Sequence, residues 1–190
     1  MEKTNLSFIC FLACAYQLLN QWDEAIYKLR QVLQMKKDIY HEVTFSPEVA
    51  LACFLLAQAL FKHGKHEEAL AYFEEALKIH QSLQSIDDVV KCLLNIAQCY
   101  KDLKKLGKAM ETFDKVKVLC STSKTLDHRM ILRFHKEMAD VFTEEEFEDK
   151  NKTFLHLQEA AAILTQLEKT EKDEETLNEL QAKILSLQLE

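Results

Sequence analysis

The chain has 190 residues, a formal net charge of −7 and hydrophobic residues at 48% of its positions. Only 2 Gly and 1 Pro occur, and because these residues punctuate most other folds, their scarcity predicts a protein that is almost entirely helical. Its Lys and Arg residues are interspersed with Glu and Asp, which excludes a broad nucleic-acid surface, because such a surface needs clustered cations to neutralise phosphates.

The first apolar stretch, LSFICFLACAYQLL at residues 6–19, has two interpretations. It resembles the apolar part of a secretory signal, with the small residues 13–15 as a cleavage site. It also fits the first helix of a helical hairpin, because Ile9, Leu12 and Tyr16 form a stripe at helical spacing. The stretch is too short to span a bilayer. We favour a hairpin over residues 4–40 with its turn at residues 20–23, where Asp23 is expected to cap the second helix.

The most regular stretch, residues 46–84, predicts two amphipathic helices joined by a turn at residues 62–65. Ser46 followed by Pro47 predicts the start of the first helix, because a hydroxyl cap precedes a Pro whose missing N–H is harmless there. If Ala57 in the first helix is position i, then Ala69 and Ala76 in the second helix are i+12 and i+19. We expect these small residues to let the two helices cross closely.

The same i, i+12 pair of alanines recurs along the chain. It is found at Ala13 and Ala25, and again at Ala97 and Ala109. The first-helix alanines themselves, Ala13, Ala57, Ala97 and Ala139, follow one another at steps of 44, 40 and 42 in the numbering. Such regular intervals predict tandem hairpins, each of which needs its neighbours to bury its apolar face.

The third hairpin is expected at about residues 86–119, with Asp87 or Asp88 as the cap of its first helix and Gly107 just inside its second helix. The fourth, at residues 125–168, is degenerate, because Ala139 and Thr153 stand at i and i+14 instead of i and i+12. Acidic residues at 144–149 lengthen its connection. One apolar stripe in the tail is expected to cover the end of the last hairpin, at Leu177, Leu180, Ile184 and Leu187.

These hairpins resemble the tetratricopeptide repeat (TPR), a helix–turn–helix unit of about 34 residues that stacks into solenoids. The entry at Ser46–Pro47 and the residues that follow are similar to the longer repeats of kinesin light chains, although Ser46 stands where those repeats have His. The resemblance implies an all-α, right-handed superhelix of about four hairpins, with a C-terminal capping helix at residues 172–189. Residues 1–190 would then form a single TPR domain.

In TPR solenoids the first helix of each repeat lines a concave groove, so the resemblance implies a peptide-binding surface here. We expect that surface to contain Gln17, Phe54, Gln58, Phe61, Lys62, Lys91, Leu94, Asn95, Gln98, Lys101, Arg133, Lys136 and Asp140, next to Cys10, Cys14, Asp102 and Glu137. Amide side chains can bond a peptide backbone as donor and acceptor, and Lys and Arg can bind carboxylates.

Chaperone-tail-binding members of the family hold a carboxylate with a clamp of five residues. Asn95 and Arg133 fall at two of these positions. Phe54, Gln58 and Glu137 depart from the clamp, so the resemblance does not extend to that specificity.

The sequence offers no catalytic constellation of any strength. His63 and His66 lack a third ligand at metal spacing, His135 lies on an apolar stripe and is expected to be packed or hydrogen-bonded, and 2 Gly are too few for a phosphate-cradling loop. We therefore expect neither an enzyme nor a cofactor or metal. Six cysteines without a CxxC pair are expected to be free thiols, mostly buried, which favours the cytoplasm.

The predicted function is a protein-interaction scaffold or adaptor that binds a protein or peptide partner in the groove, without nucleic acid, membrane insertion or a small-molecule cofactor. Two alternatives remain open. The chain could be a regulatory or sensor subunit that switches a partner enzyme on peptide binding, or the recognition module of a larger enzyme or motor-associated protein.

Overall fold

A computed structural model describes residues 2–41, 45–123, 126–144, 148–167 and 170–189. Those residues form nine α-helices, and the predicted all-α fold is confirmed. The helices are α1 (Glu2–Leu18), α2 (Trp22–Ile39), α3 (Pro47–Lys62), α4 (His66–Ser82), α5 (Ile86–Asp102), α6 (Leu106–Thr122), α7 (His128–Val141), α8 (Lys150–Gln166) and α9 (Glu171–Leu189).

The chain divides into two compact units. Unit 1 is Met1–Lys105 and unit 2 is Leu106–Glu190. The first two predicted hairpins correspond to α1–α2 and α3–α4 in unit 1, and the fourth corresponds to α7–α8 in unit 2. The two helices of the third predicted hairpin, α5 and α6, fall in different units. That the chain forms a single domain stays a prediction.

In unit 1, the helices α1, α3 and α5 all end in the same turn geometry. Asn20, Gly64 and Lys104 adopt positive φ angles of 56°, 80° and 55°, and each stands at i+7 from a matched alanine. The N–H of the residue that follows donates to the carbonyl oxygen five positions earlier, over 2.9, 2.9 and 2.8 Å. This left-handed closure satisfies carbonyl groups at the helix end, and it explains why the alanine spacing repeats.

The matched alanines lie at the centre of unit 1. Ala13, Ala57 and Ala97 are fully buried, as are Ala25 and Ala69 in the second helices. Larger apolar side chains fill the space around the crossings. Phe73 is fully buried and makes an edge contact with Phe54, with ring centroids 5.4 Å apart.

The helix caps follow the sequence only in part. Ser46 caps α3 as predicted, since its hydroxyl accepts from the Val49 N–H at 3.4 Å. The prediction that Asp23 caps α2 is wrong, because Gln21 is the N-cap residue. Asp23 lies in the first turn, where its carboxylate accepts from Lys65 Nζ at 3.3 Å. An anionic side chain in the first turn is stabilised by the partial positive charge at the helix N-terminus, and this needs no hydrogen bond to the backbone.

The prediction that Asp87 or Asp88 caps α5 is also wrong. Ser85 is the N-cap residue of α5 and forms no side-chain cap bond. Its hydroxyl instead donates to Asp88 Oδ2 at 2.7 Å. Asp88 is thereby fixed in the first turn of α5, where it also points toward the end of α4.

In unit 2, the starts of α7 and α8 are capped by side chains. Asp127 caps α7 by accepting from the Arg129 N–H at 2.9 Å, and Asp149 caps α8 by accepting from the Lys152 N–H at 3.0 Å. On α8, Thr153 occupies the position that corresponds to the second-helix alanines Ala25 and Ala69, and it is buried. Its hydroxyl donates to the backbone oxygen of Asp149 at 2.9 Å. The middle of the predicted acidic connection lies outside the described residues.

The C-terminal helix α9 packs with the predicted apolar stripe inward. Leu177 and Leu180 are buried against a cluster that contains Leu157 and Leu164 of α8. At its start, Asp173 receives two hydrogen bonds from the Arg129 guanidinium, at 3.0 and 3.1 Å. The stripe and this bidentate ion pair attach α9 to α8 and α7.

Two histidines connect α7 to α8. Their Nδ1 atoms, on His135 and His156, lie 3.0 Å apart and share a hydrogen bond, which confirms that His135 is packed and bonded. Burial lowers the pKa of His135. Burial, together with repulsion from Lys117 and from His135 when that ring is protonated, lowers the pKa of His156 to about 4. The pair is therefore neutral at neutral pH.

Candidate functional site

Unit 1 contains a cleft where the start of α3 faces the end of α4 and the start of α5. We call it the His80 cleft. Its volume is about 270 Å³, and its walls are Pro47, Leu51, Phe54, His80, Asp88 and Lys91. The three α3 residues lie on one helix face at i, i+4 and i+7. Leu51 is 56% exposed.

The polar wall of the cleft is an ordered group of charges. Asp88 Oδ1 accepts from Lys91 Nζ at 3.1 Å, and Asp88 Oδ2 accepts from the Ser85 hydroxyl. Burial alone would raise the pKa of Asp88, but these two donors outweigh it and lower that pKa. Burial lowers the pKa of His80, although the nearby Asp88 opposes the shift. At neutral pH the cleft therefore holds one anion, one cation and a neutral imidazole.

Two matches to the tetratricopeptide repeat sequence profile cover residues 11–39 and 48–116. The chain belongs to the tetratricopeptide repeat family. A comparison with curated proteins gave no match.

Solved structures show the same TPR fold. The BtubC (BKLC) protein of P. vanneervenii aligns with a TM-score of 0.78 at 18% identity, over 94% of this chain and 70% of that one. A kinesin light chain of Podosopora anserina with nearly identical TPR-like repeats aligns with a TM-score of 0.67 at 19% identity, over 97% and 95% of the two chains. These likenesses confirm the predicted solenoid class and its similarity to kinesin light chain repeats. A TPR fold is typically a non-enzymatic scaffold, so the general function is protein interaction.

The cleft unites two of the predicted groove residues. Phe54 comes from the first helix of one TPR and Lys91 from the first helix of the next, and both line the His80 cleft. Leu94 requires a correction, because it is only 1% exposed and offers no side-chain surface to a peptide. Its neighbour Asn95 donates to the backbone oxygen of Lys91 at 2.7 Å.

The other groove residues of unit 1 lie further along the first helices. Gln58 and Lys62 are exposed and Gln17 and Lys101 are half-buried. Phe61 makes an edge contact with His66, with ring centroids 5.1 Å apart. Gln98 donates to Asp102 Oδ1 at 3.1 Å. Their part in peptide binding stays a prediction. Cys14 is exposed, and Cys10 lies outside the residues whose side chains the structure describes.

The predicted groove residues of unit 2, Arg133, Lys136 and Asp140, lie on α7 at i, i+3 and i+7 and therefore share one helix face. Arg133 pairs with Glu137 on its own helix, and Lys136 is half-buried. Asp140 lines a separate cleft of about 220 Å³ between α7, α8 and α9, together with Ala139, Thr143, Thr153, Leu157, Lys183, Ser186 and Leu187. How these residues act in binding stays a prediction.

Sequence reasoning missed four residues of the His80 cleft: Pro47, Leu51, His80 and Asp88. The expected groove was taken from positions beside the crossing alanine of each first helix. Pro47, Leu51 and Asp88 lie nearer the starts of α3 and α5, and His80 lies in the last turn of α4. Leu51 could have been found, because it precedes Phe54 by one helical turn and is apolar. His80 could not, because it belongs to a second helix, which the resemblance places away from the groove.

Other chemistry-bearing groups are dispersed. Among the described residues no three His, Cys, Asp or Glu side chains are grouped to hold a metal ion. His63 Nε2 lies 3.1 Å from Asp23, while Cys53, Cys92 and Cys99 are buried free thiols. In the described part of the chain no helix has both the length and the apolar character needed to cross a bilayer.

Proposed function

We propose that this TPR protein is an adaptor whose unit 1 binds an extended or short helical segment of a partner protein at the His80 cleft. One observation carries the proposal: residues from two successive first helices, Phe54 and Lys91, line one cleft beside the exposed Leu51. A partner side chain would bury the apolar wall, and burial of a Leu side chain contributes about 1.5–3 kcal/mol.

The polar side of the cleft supports a peptide rather than a purely apolar ligand. Lys91 is exposed and can donate a further hydrogen bond to a peptide carbonyl or carboxylate, because an ammonium has three donors. Further along α3, the exposed Gln58 can bond a peptide backbone as donor and acceptor. An apolar anchor with flanking backbone bonds is the usual arrangement of a peptide site.

Selection of random displayed peptides on the intact protein tests this function. Peptides that survive selection are measured by fluorescence polarisation against the wild type and against Leu51→Ser and Lys91→Glu. We expect each variant to weaken binding about tenfold or more, which corresponds to about 1.4 kcal/mol.

Two matched controls separate the cleft from the rest of the surface. Leu155→Ser removes an equally exposed leucine in unit 2, where Leu155 is 54% exposed. Lys28→Glu makes the same charge change on α2. Selected peptides that bind the cleft variants as tightly as the wild type, or that are weakened equally by the controls, would contradict the proposal.

A further inference from the structure

The His80 cleft contains a buried polar atom without a partner. His80 is 8% exposed, and within the described residues its Nδ1 atom has no hydrogen-bond partner. Asp88 Oδ2 lies 3.8 Å from this atom, which is too far for a hydrogen bond. A buried polar atom left unpaired destabilises the free protein, so a ligand that pairs it gains affinity.

The protonation state of this group follows from its neighbours. His80 is neutral at neutral pH because burial opposes its charged form and lowers its pKa. One ring nitrogen then carries a hydrogen and the other accepts. With the Asp88 carboxylate 3.8 Å from Nδ1, the hydrogen is favoured on Nδ1, where it faces the negative charge. The cleft therefore offers a donor on His80 and an acceptor on Asp88 side by side.

We propose that the His80 cleft selects a partner side chain that ends in an uncharged hydroxyl group, whose oxygen accepts from His80 Nδ1 and whose hydrogen is donated to Asp88 Oδ2. This inference rests on the proposed function and adds the chemical class of the bound side chain. One hydroxyl oxygen is both donor and acceptor, so a single atom satisfies both groups across the 3.8 Å gap.

The other side-chain classes fit less well. An apolar tip leaves His80 Nδ1 unpaired. A carboxylate or phosphate meets the negative charge of Asp88, and an ammonium competes with Lys91, which already neutralises that carboxylate at 3.1 Å. A primary amide carries a second N–H that would face the apolar wall. That wall, formed by Pro47, Leu51 and Phe54, favours a hydroxyl on an apolar stem, as in tyrosine.

Three soluble probes of equal backbone test the inference by NMR titration of the intact protein. They are N-acetyl-tyrosine amide, N-acetyl-phenylalanine amide and the O-phosphorylated tyrosine derivative. We expect the tyrosine probe to bind about tenfold more tightly than the phenylalanine probe, a ratio equivalent to about 1.4 kcal/mol. The phosphorylated probe should bind more weakly than the tyrosine probe.

Two variants assign the preference to the pair of groups. Both His80→Phe and Asp88→Asn should bring the ratio between the tyrosine and phenylalanine probes close to one. The amide spectrum shows whether His80→Phe folds. If it does not, Asp88→Asn still tests the preference, because it preserves the shape of the side chain.

Equal affinities of the wild type for the two unphosphorylated probes, or no binding of the tyrosine probe, would overturn the inference. So would a preference that persists in both variants, or tighter binding of the phosphorylated probe. These results are separable from failure of the proposed function. Selected peptides that lose affinity in Leu51→Ser but show no hydroxyl preference would leave the cleft as a peptide site and remove only its selectivity.

Discussion

In unit 1 the first helices end on a backbone turn, whereas in unit 2 the corresponding helix ends without one. Asn20, Gly64 and Lys104 close their helices at positive φ. At the end of α7, no residue of the described range 142–144 adopts a positive φ, and α8 begins at a side-chain cap from Asp149. The comparison teaches that tight helix crossings accompany a fixed turn, while a longer connection relies on side-chain bonds.

The two regions also differ around their small residues. Ala57 is fully buried in the core of unit 1 among large neighbours. Ala139 is buried too, but it borders the cleft of about 220 Å³ in unit 2. Unit 1 is therefore expected to tolerate added volume less well than unit 2.

Removal of the largest fully buried side chain of unit 1 should have the greatest effect. Phe73→Ala deletes a ring that fills the crossing of α3 and α4, and we expect it to destabilise unit 1 by about 3–5 kcal/mol. Urea denaturation with hydrogen exchange of α3 and α4 measures the loss. Tyr27→Ala, which removes a ring that is 59% exposed, is the control. Equal losses from the two variants would contradict the assigned core.

Enlarging the matched alanines tests the difference in packing directly. Ala57→Leu should overpack a helix crossing and destabilise by about 1–3 kcal/mol. Ala139→Leu can extend into the neighbouring cleft, so we expect a change of less than about 1 kcal/mol. Denaturant midpoints of the two variants give the comparison. If Ala139→Leu is as damaging as Ala57→Leu, the cleft in unit 2 does not relieve the added volume.

Acidification should weaken unit 2 through its histidine pair. The ordinary pKa of His is 6.5, and the pKa of His156 in the folded protein is about 4. Between these two pH values the unfolded chain binds more protons than the folded chain, so the free energy of unfolding decreases as the pH is lowered. We expect a loss of about 1 kcal/mol from pH 7 to about pH 5, after allowance for partial exposure.

Thermal melting of the wild type and His156→Gln across that range measures the effect. The variant removes the group with the lower pKa and should reduce the dependence of the midpoint on pH. His41→Gln, which removes an exposed histidine of unit 1, is the matched control. A pH dependence that His156→Gln leaves unchanged would show that the pair does not titrate as described.

The smallest effects are expected at the turns, with opposite signs. Lys104 has φ 55°, a conformation that disfavours a side chain, so Lys104→Gly should stabilise unit 1 by about 0.5–1 kcal/mol. Gly64 has φ 80° with no atom near its missing Cβ, so Gly64→Ala should destabilise by about 1 kcal/mol through the backbone alone. Calorimetry measures both, and shifts of the same sign would contradict the shared turn geometry.

The repeated alanines made the fold predictable from the sequence, because burial of small residues at fixed intervals leaves few other packings. The caps were less predictable: a carboxylate such as Asp23 stabilises a helix start from the first turn as well as from the cap. The site was predictable only where it followed the repeat register, at Phe54 and Lys91. His80 lies in the cleft because α4 packs against α3 and α5. No local sequence pattern predicts that contact.

The cysteines of unit 1 give the protein an internal reporter. Burial raises the pKa of Cys53, Cys92 and Cys99 to about 12, so at neutral pH these thiols are almost wholly unreactive while the helices are closed. An alkylating reagent would modify them only during an opening of unit 1. The mass gained with time at these three residues, located by peptide mapping, would then measure how often this part of the chain opens.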